Sequence, residues 1–128
     1  MQKHAGKEFS MSNEDILTIN SPQRRVKGPW DVVYKDTSNR WAIVVLHWND
    51  NPLKEPKPCL GIRWFYGNQG SPSVRGYATW LIIPNELADG VLDNLPLTPP
   101  LRQKVNDILL GKFSIKELAY ERKNKYKI

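Results

Sequence analysis

The chain has little of what nucleophilic catalysis, disulfide bonding or membrane insertion requires. Its 128 residues include a single cysteine, Cys59, and two histidines. One cysteine excludes an intramolecular disulfide, and the N-terminus lacks the basic-then-apolar layout of a secretion signal, so we expect a reducing, cytoplasmic setting. No apolar run approaches the ~20 residues of a membrane-spanning helix, so no membrane contact is expected.

The residues that could carry chemistry are correspondingly few. His47 and Cys59 fall on one predicted strand face, where a thiolate and its base would be a nucleophilic pair, but no third residue is placed to orient them. No cysteine or histidine spacing fits a metal site, and no glycine-rich loop opens a helix as a phosphate cradle does. We therefore predict no catalytic residues, no metal and no cofactor. A small ribonuclease or toxin using His47 with Arg63 and Arg75 is kept as a third alternative.

Acidic residues are outnumbered, with 13 aspartates and glutamates against 19 lysines and arginines, which gives a formal net charge of +6. An excess of this sign favours polyanionic partners such as nucleic acid. It equally fits a merely solubilising surface.

The order of sequence patterns predicts one domain with polar ends. Residues 1–29 are expected to be a flexible basic arm, residues 30–120 a single α+β domain, and residues 121–128 a charged tail. Ser12 and Asp15 are spaced to cap one helical turn within the arm. The arm ends in a basic cluster formed by Arg24, Arg25 and Lys27.

Four segments alternate apolar and polar residues with the period of a strand: 30–36, 40–48, 59–66 and 77–83. Their connections are too short for helical crossovers, which predicts a four-stranded antiparallel meander. Helices are then predicted from the caps Asn85, Thr98 and Ser114. The expected fold is a two-layer α+β domain with two or three C-terminal helices packed on one face of the sheet.

The phase of the alternation predicts which face is buried. Apolar residues at even positions between Trp30 and Pro84 form a set without charges, so we expect this even face to lie under the helices. The odd face, a mixture of aromatic, basic and aliphatic residues, is then expected to stay open.

An open face of this composition suits single-stranded nucleic acid, which stacks its bases on flat side chains while cations follow the phosphates. Trp41, Arg63, Phe65 and Tyr77 are the predicted platform, with Arg75 and the cations of the arm as phosphate contacts. Alternatively, the protein is an interaction module, such as an assembly subunit, an inhibitor or an antitoxin-like partner, whose same mixed face docks another protein or a second copy in a homodimer. The residues of that contact would be Trp41, Ile43, Val45, Leu81 and Ile83.

Two segments resemble known DNA-binding families. The layout Gly61-Ile62-Arg63-Trp64-Phe65, loop, Arg75-Gly76-Tyr77, then Ile83-Pro84-Asn85-Glu86 is similar to the single-stranded-DNA-binding transcriptional coactivators, in which a curved sheet and its loops contact DNA. That family's lysine-rich strand opening is replaced here by Thr79-Trp80-Leu81. The segment from Leu97-Thr98-Pro99 to Lys116-Glu117-Leu118-Ala119 resembles the first two helices of a response-regulator helix-turn-helix. Only residues 120–128 remain for its groove-binding third helix.

Overall fold

The computed structural model describes residues 10–51, 53–67 and 70–125, and over these the chain forms a curled antiparallel sheet followed by helices. The strands are β1 (Val26–Asp36), β2 (Trp41–Trp48), β3 (Lys57–Trp64), β4 (Ser73–Val74), β5 (Tyr77–Ala78) and β6 (Leu81–Ile83). The helices are α1 (Asn13–Ile16), α2 (Ala88–Asp93), α3 (Pro99–Leu109) and α4 (Ile115–Lys125). The main sheet has the order β1-β2-β3-β6, and β4 and β5 form a separate hairpin. The predicted fold class, a two-layer α+β domain with C-terminal helices, is confirmed.

Helix starts follow the local capping signals at three positions. The hydroxyl oxygens of Ser12, Thr98 and Ser114 accept hydrogen bonds from the backbone N–H three residues later, at 3.1, 3.4 and 3.0 Å. The cap predicted at Asn85 is wrong. Asn85 begins a 3₁₀ turn, Asn85–Leu87, and its side-chain amide instead donates to the carbonyl of Pro58 at 3.2 Å.

The prediction that all even positions share one face is wrong. Residues directly opposite in an antiparallel pair point to the same face, and β2 pairs Val45 with Leu60 while β6 pairs Ile83 with Leu60. The odd positions of β2 therefore share a face with the even positions of β3 and with the odd positions of β6. Within β1, an irregularity between Val32 and Tyr34 changes the register, so that Val32 lies opposite the even position Val44 but Tyr34 lies opposite the odd position Ile43. Alternation is fixed within a strand, but the connections set the phase between strands.

The helices cover the face opposite to the predicted one. Val33, Ile43 and Val45 are buried beneath α2, α3 and α4, together with Leu60 from β3. The odd face of β2, expected to be open, is therefore the helix-covered core. Arg122 of α4 fixes this layer to β1, because its guanidinium donates to the Asp31 carboxylate at 3.1 Å and to the Val32 carbonyl.

The other face of the sheet is covered by the segment that the sequence predicted to be a loose arm. Met11, Ile16 and Ile19 are buried against the even positions of β2 in a second core. The indole N–H of Trp80 donates to the Ile19 carbonyl at 2.8 Å, and Lys35 donates to the Met11 carbonyl at 2.7 Å. From Ser10 on, this segment is thus part of the packed domain, and both faces of the sheet are covered.

Other boundaries also differ from prediction. β3 runs from Lys57 to Trp64, whereas the strand was predicted over 59–66. The first strand begins at Val26 and so includes residues assigned to the arm. The single predicted strand over 77–83 is divided into β5 and β6, and α4 extends to Lys125 through residues predicted to be a tail. The described helices include none that is both long and apolar enough to cross a bilayer. The groove-binding third helix of the response-regulator family has no counterpart after α4 among the described residues, which extend to residue 125.

Candidate nucleic-acid interface

The eight side chains predicted to contact nucleic acid lie in four separate places. The basic cluster of residues 24–27 lies at one end of the sheet, where β1 and β3 begin. Trp41 lies at the opposite end of β2, roughly 23 Å away for eight strand residues. Two more residues are in the interior and two are on the β4–β5 hairpin. The predicted stacking platform of Trp41, Arg63, Phe65 and Tyr77 does not exist.

The interior pair is inaccessible to any partner. Arg63 and Phe65 are each 0% exposed, and the guanidinium lies over the Phe65 ring at 5.4 Å. Arg63 donates to the carbonyl of Pro72 and, at 3.1 Å, to that of Thr79. These carbonyls flank the β4–β5 hairpin, so Arg63 holds the base of the hairpin. Burial lowers the pKa of Arg63 to about 10, which still leaves it charged at neutral pH.

The hairpin carries the remaining two residues at its tip. Arg75 and Gly76 form its two-residue turn with φ of 52° and 81°, the pattern of a type I′ hairpin. Tyr77 is 68% exposed. Trp41, by contrast, is half-buried and packs on Tyr34 with a ring separation of 5.5 Å. None of these residues is near the basic cluster.

The strand register builds a different combination of cations and an aromatic ring at the end of the sheet where β3 begins. Val26 pairs with Trp48, and Trp48 pairs with Lys57, so the three lie in one row across β1, β2 and β3. The next row holds Lys27, His47 and Pro58. In this row the exposed Lys57 lies beside the half-buried Trp48, and Val26 on its other side is buried, whereas Lys27, one residue on, points to the opposite face. We call the region formed by Arg24, Lys27, Trp48, Lys54 and Lys57 the basic corner.

Arg25 has a positioning role at this corner. Its guanidinium donates to the Asn49 carbonyl at 3.1 Å and also to the carbonyl of Asp50, while its own carbonyl accepts from the Asn49 N–H at 2.7 Å. These bonds attach the end of β2 to the start of β1. Arg25 is therefore occupied by the backbone, in contrast to its predicted phosphate contact.

Two surface hollows meet at Trp48. The larger, about 750 Å³, is lined by Trp48 and Lys57 on one side and by residues Ile82 to Glu86 on the other. The smaller, about 110 Å³, is lined by Trp48 and Lys57 together with Lys54 and the loop after β2. A flat group seated in either hollow would contact the indole and at least one lysine.

The charge of the basic corner favours an anion. Arg24, Lys27, Lys54 and Lys57 are all exposed, and none forms an ion pair with any residue that the structure describes. Asp50 and Glu55 line the same hollows and reduce the positive charge locally. The hollows hold two cations, Lys54 and Lys57, against three carboxylates, because Glu86 also lines the larger one. With Arg24 and Lys27 counted, the basic corner has four cations against these three carboxylates, an excess that favours phosphate groups.

The geometry gives little support to the alternatives that require catalysis or a metal ion. Burial raises the pKa of Cys59 to about 12, with a smaller contribution from the charge of Asp50, so its thiol is not a nucleophile at neutral pH. His47 lines a third hollow of about 390 Å³ with Lys112 and Glu117, far from the hairpin that carries Arg75. Over the described residues, no group of three or more histidine, cysteine or acidic side chains is arranged to hold a metal ion.

Comparison with known proteins gives no relative: no family model, no curated protein and no solved structure matches this chain.

Sequence reasoning missed Trp48, Lys54 and Lys57 as site residues. The even apolar set predicts that Trp48 lies in the core, and the two lysines fall in a proline-rich connection that predicts only a loop. A usable signal was the basic cluster itself. A first strand that begins at Val26 pairs with Trp48 of β2 and so places the cluster at the same end of the sheet as this ring.

Proposed function

We propose that this protein is a small, non-catalytic nucleic-acid-binding module, and that the basic corner is its contact surface for a single strand. The observation that carries the proposal is the row Val26, Trp48, Lys57, which places the indole beside the exposed Lys57 on one face of the sheet, with Lys54 lining the hollow that both share. An aromatic ring for base stacking flanked by cations for phosphates is the arrangement that binds single strands without sequence preference.

The charge and position of the corner support this over a site on the hairpin. The segment from Trp64 to Asn85 contains one charged residue, Arg75, and a lone cation neutralises little of a phosphate backbone. The basic corner offers four exposed cations. The cavity beside Trp48 is open to solvent at the surface, so a strand could reach the ring without displacing the fold.

The test is a fluorescence-anisotropy titration of a labelled thymidine oligonucleotide at 50 and 200 mM salt. If three or four phosphates are neutralised, affinity should fall roughly 20- to 50-fold between these conditions. Lys57→Gln should weaken binding and flatten the salt dependence. Arg75→Gln removes the same charge at the far end of the sheet and should do neither.

Stacking is tested with two tryptophans at the two ends of one strand. Trp48→Leu keeps an apolar side chain but removes the ring, and we expect a loss of about 5- to 150-fold, equivalent to ~1–3 kcal/mol. Trp41→Leu is the matched control, since Trp41 is also half-buried, and should leave affinity unchanged. No binding at 50 mM salt, or equal losses in the two variants, would refute the proposal.

A protein-docking function remains the second candidate, and one observation favours it. Of the apolar residues predicted for such a contact, Ile43 and Val45 are buried beneath the helices, but Leu81 is 52% exposed on an edge strand. If the protein docks a partner in this way, its contact surface is therefore the edge of the sheet and not the face.

A further inference from the structure

The two edges of the sheet differ in how they are protected. The order β1-β2-β3-β6 leaves β1 and β6 as edge strands. β1 carries Lys27, Lys35 and Asp36, and α4 packs against it. Charges on an edge strand oppose pairing with another chain. β6 has no such charge, and among the described residues it pairs with β3 alone.

Large apolar side chains are exposed on β6 and in the segments directly before and after it in the sequence. Leu81 of β6 is 52% exposed, and Tyr77 and Leu87, which precede and follow β6 in the sequence, are 68% and 60% exposed. Val74, which pairs with Tyr77 across the hairpin, is 49% exposed. Exposed apolar residues grouped along one edge mark a protein contact, whereas scattered ones do not.

The charges on either side of β6 in the sequence are of opposite sign. The residues between Arg75 and Glu86 are uncharged, so one cation lies before the edge and one carboxylate follows it. Both side chains are exposed, and neither forms an ion pair with a described residue. In an antiparallel pair of β6 strands, the end that Arg75 precedes in each copy lies beside the end that Glu86 follows in the other.

We propose that β6 pairs antiparallel with β6 of a second copy to form a two-fold homodimer with a continuous eight-stranded sheet. An antiparallel pair of identical strands is self-complementary, as a two-fold interface requires. A strongly charged partner has no complement on an edge with one charge of each sign. Copies of a chain with net charge +6 repel each other, and this uncharged stretch is where they can approach most easily.

The apolar part of the contact is tested by sedimentation velocity from 1 to 200 µM protein without nucleic acid. The wild type should change from monomer to dimer over this range. Leu81→Lys and Tyr77→Lys should each raise the dimer dissociation constant roughly tenfold or more. Leu110→Lys and Tyr120→Lys are matched controls, because Leu110 and Tyr120 are 59% and 68% exposed on the helical layer, and should not change it.

The alignment is tested by charge reversal. Arg75→Glu and Glu86→Arg should each weaken the dimer roughly three- to tenfold, since each places like charges together. The double variant exchanges the two charges and should restore wild-type association, whereas a parallel or unrelated contact predicts no restoration. The backbone amides of Leu81 to Ile83 should exchange more slowly at high protein concentration.

A wild type that stays monomeric throughout the range would overturn the proposal. So would a double variant no stronger than its single variants, or control variants as disruptive as Leu81→Lys. Because these measurements use no oligonucleotide, their failure is distinct from a failure of the basic corner to bind one.

Discussion

Arg63 should hold the β4–β5 hairpin on the sheet, and its replacement by methionine tests this. The guanidinium is fully buried and supplies hydrogen bonds to the carbonyls of Pro72 and Thr79 at the two sides of the hairpin. Methionine fills a similar apolar volume but donates no hydrogen bond. Arg63→Met therefore removes both donors while leaving the aliphatic packing largely in place.

The size of the effect follows from the groups left behind. A buried carbonyl that loses its partner costs about 1–3 kcal/mol. The Thr79 carbonyl loses the Arg63 donor, whereas the carbonyl of Pro72 keeps its hydrogen bond from the Thr79 N–H at 3.2 Å. Removing the buried charge recovers part of this, because the lowered pKa of Arg63 shows that burial disfavours its charged form. We expect Arg63→Met to lower the free energy of unfolding by about 1–3 kcal/mol.

Two measurements separate this role from general destabilisation. Urea unfolding followed by tryptophan fluorescence gives the global change, and hydrogen exchange at residues 72–79 reports the hairpin alone. In Arg63→Met the hairpin amides should exchange faster under conditions where the sheet amides are unchanged. Arg75→Met, an exposed arginine of the same hairpin, should stay within about 0.5 kcal/mol of wild type. If the hairpin amides of Arg63→Met exchange at the wild-type rate, Arg63 does not hold the hairpin on the sheet.

Three other predictions test the buried groups. Cys59 should react with iodoacetamide at pH 8 roughly a thousandfold more slowly in the native protein than in urea, because its pKa is raised to about 12; equal rates would contradict its burial. Gly61→Ala should lose about 1–3 kcal/mol of stability in urea unfolding, since the added Cβ would lie 2.8 Å from Leu46 and 3.1 Å from Trp80. Burial raises the pKa of Asp31 above 3.8 against the opposing effect of Arg122, so ionisation disfavours the folded state. Relative to Asp31→Asn, the wild type should therefore lose stability as pH rises from 3 to 7, and a gain would show that the ion pair dominates.

Local features of the fold could be predicted because their causes lie within a few residues. A hydroxyl at Ser12, Thr98 or Ser114 satisfies a backbone N–H three positions on, whatever the rest of the chain does. The strands of the main sheet were located for a similar reason, since alternation is a property of one segment. These elements, joined by short connections, were sufficient to give the fold class.

The relation between strands could not be predicted, and the candidate site depended on it. That Val45 is at an odd position does not indicate whether the residue opposite it is at an odd or an even position, because the β2–β3 connection sets the register. Arg63 was placed on an open surface for the same reason. A buried arginine also requires free carbonyls at its tip, and those of Pro72 and Thr79 come from a hairpin that the sequence did not indicate.

The location of both proposed contacts follows from how the sheet is covered. Residues 11–19 cover one face and the C-terminal helices cover the other, so the accessible parts of the sheet are its ends and edges. Cations collect at one end because β1, the β2–β3 loop and β3 each contribute some there. The β6 edge lacks charge because Arg75 is the only charged residue in the segment from Trp64 to Asn85.

A polyanion and a second copy of the chain are thus directed to different parts of the rim of the sheet, and the protein can bind both only if the dimer leaves Trp48 accessible. Oligonucleotide affinity measured well below and well above the dimerisation range decides this point: equal affinity means that the two contacts are independent, and weaker binding by the dimer means that they compete for the hollow between Trp48 and Glu86.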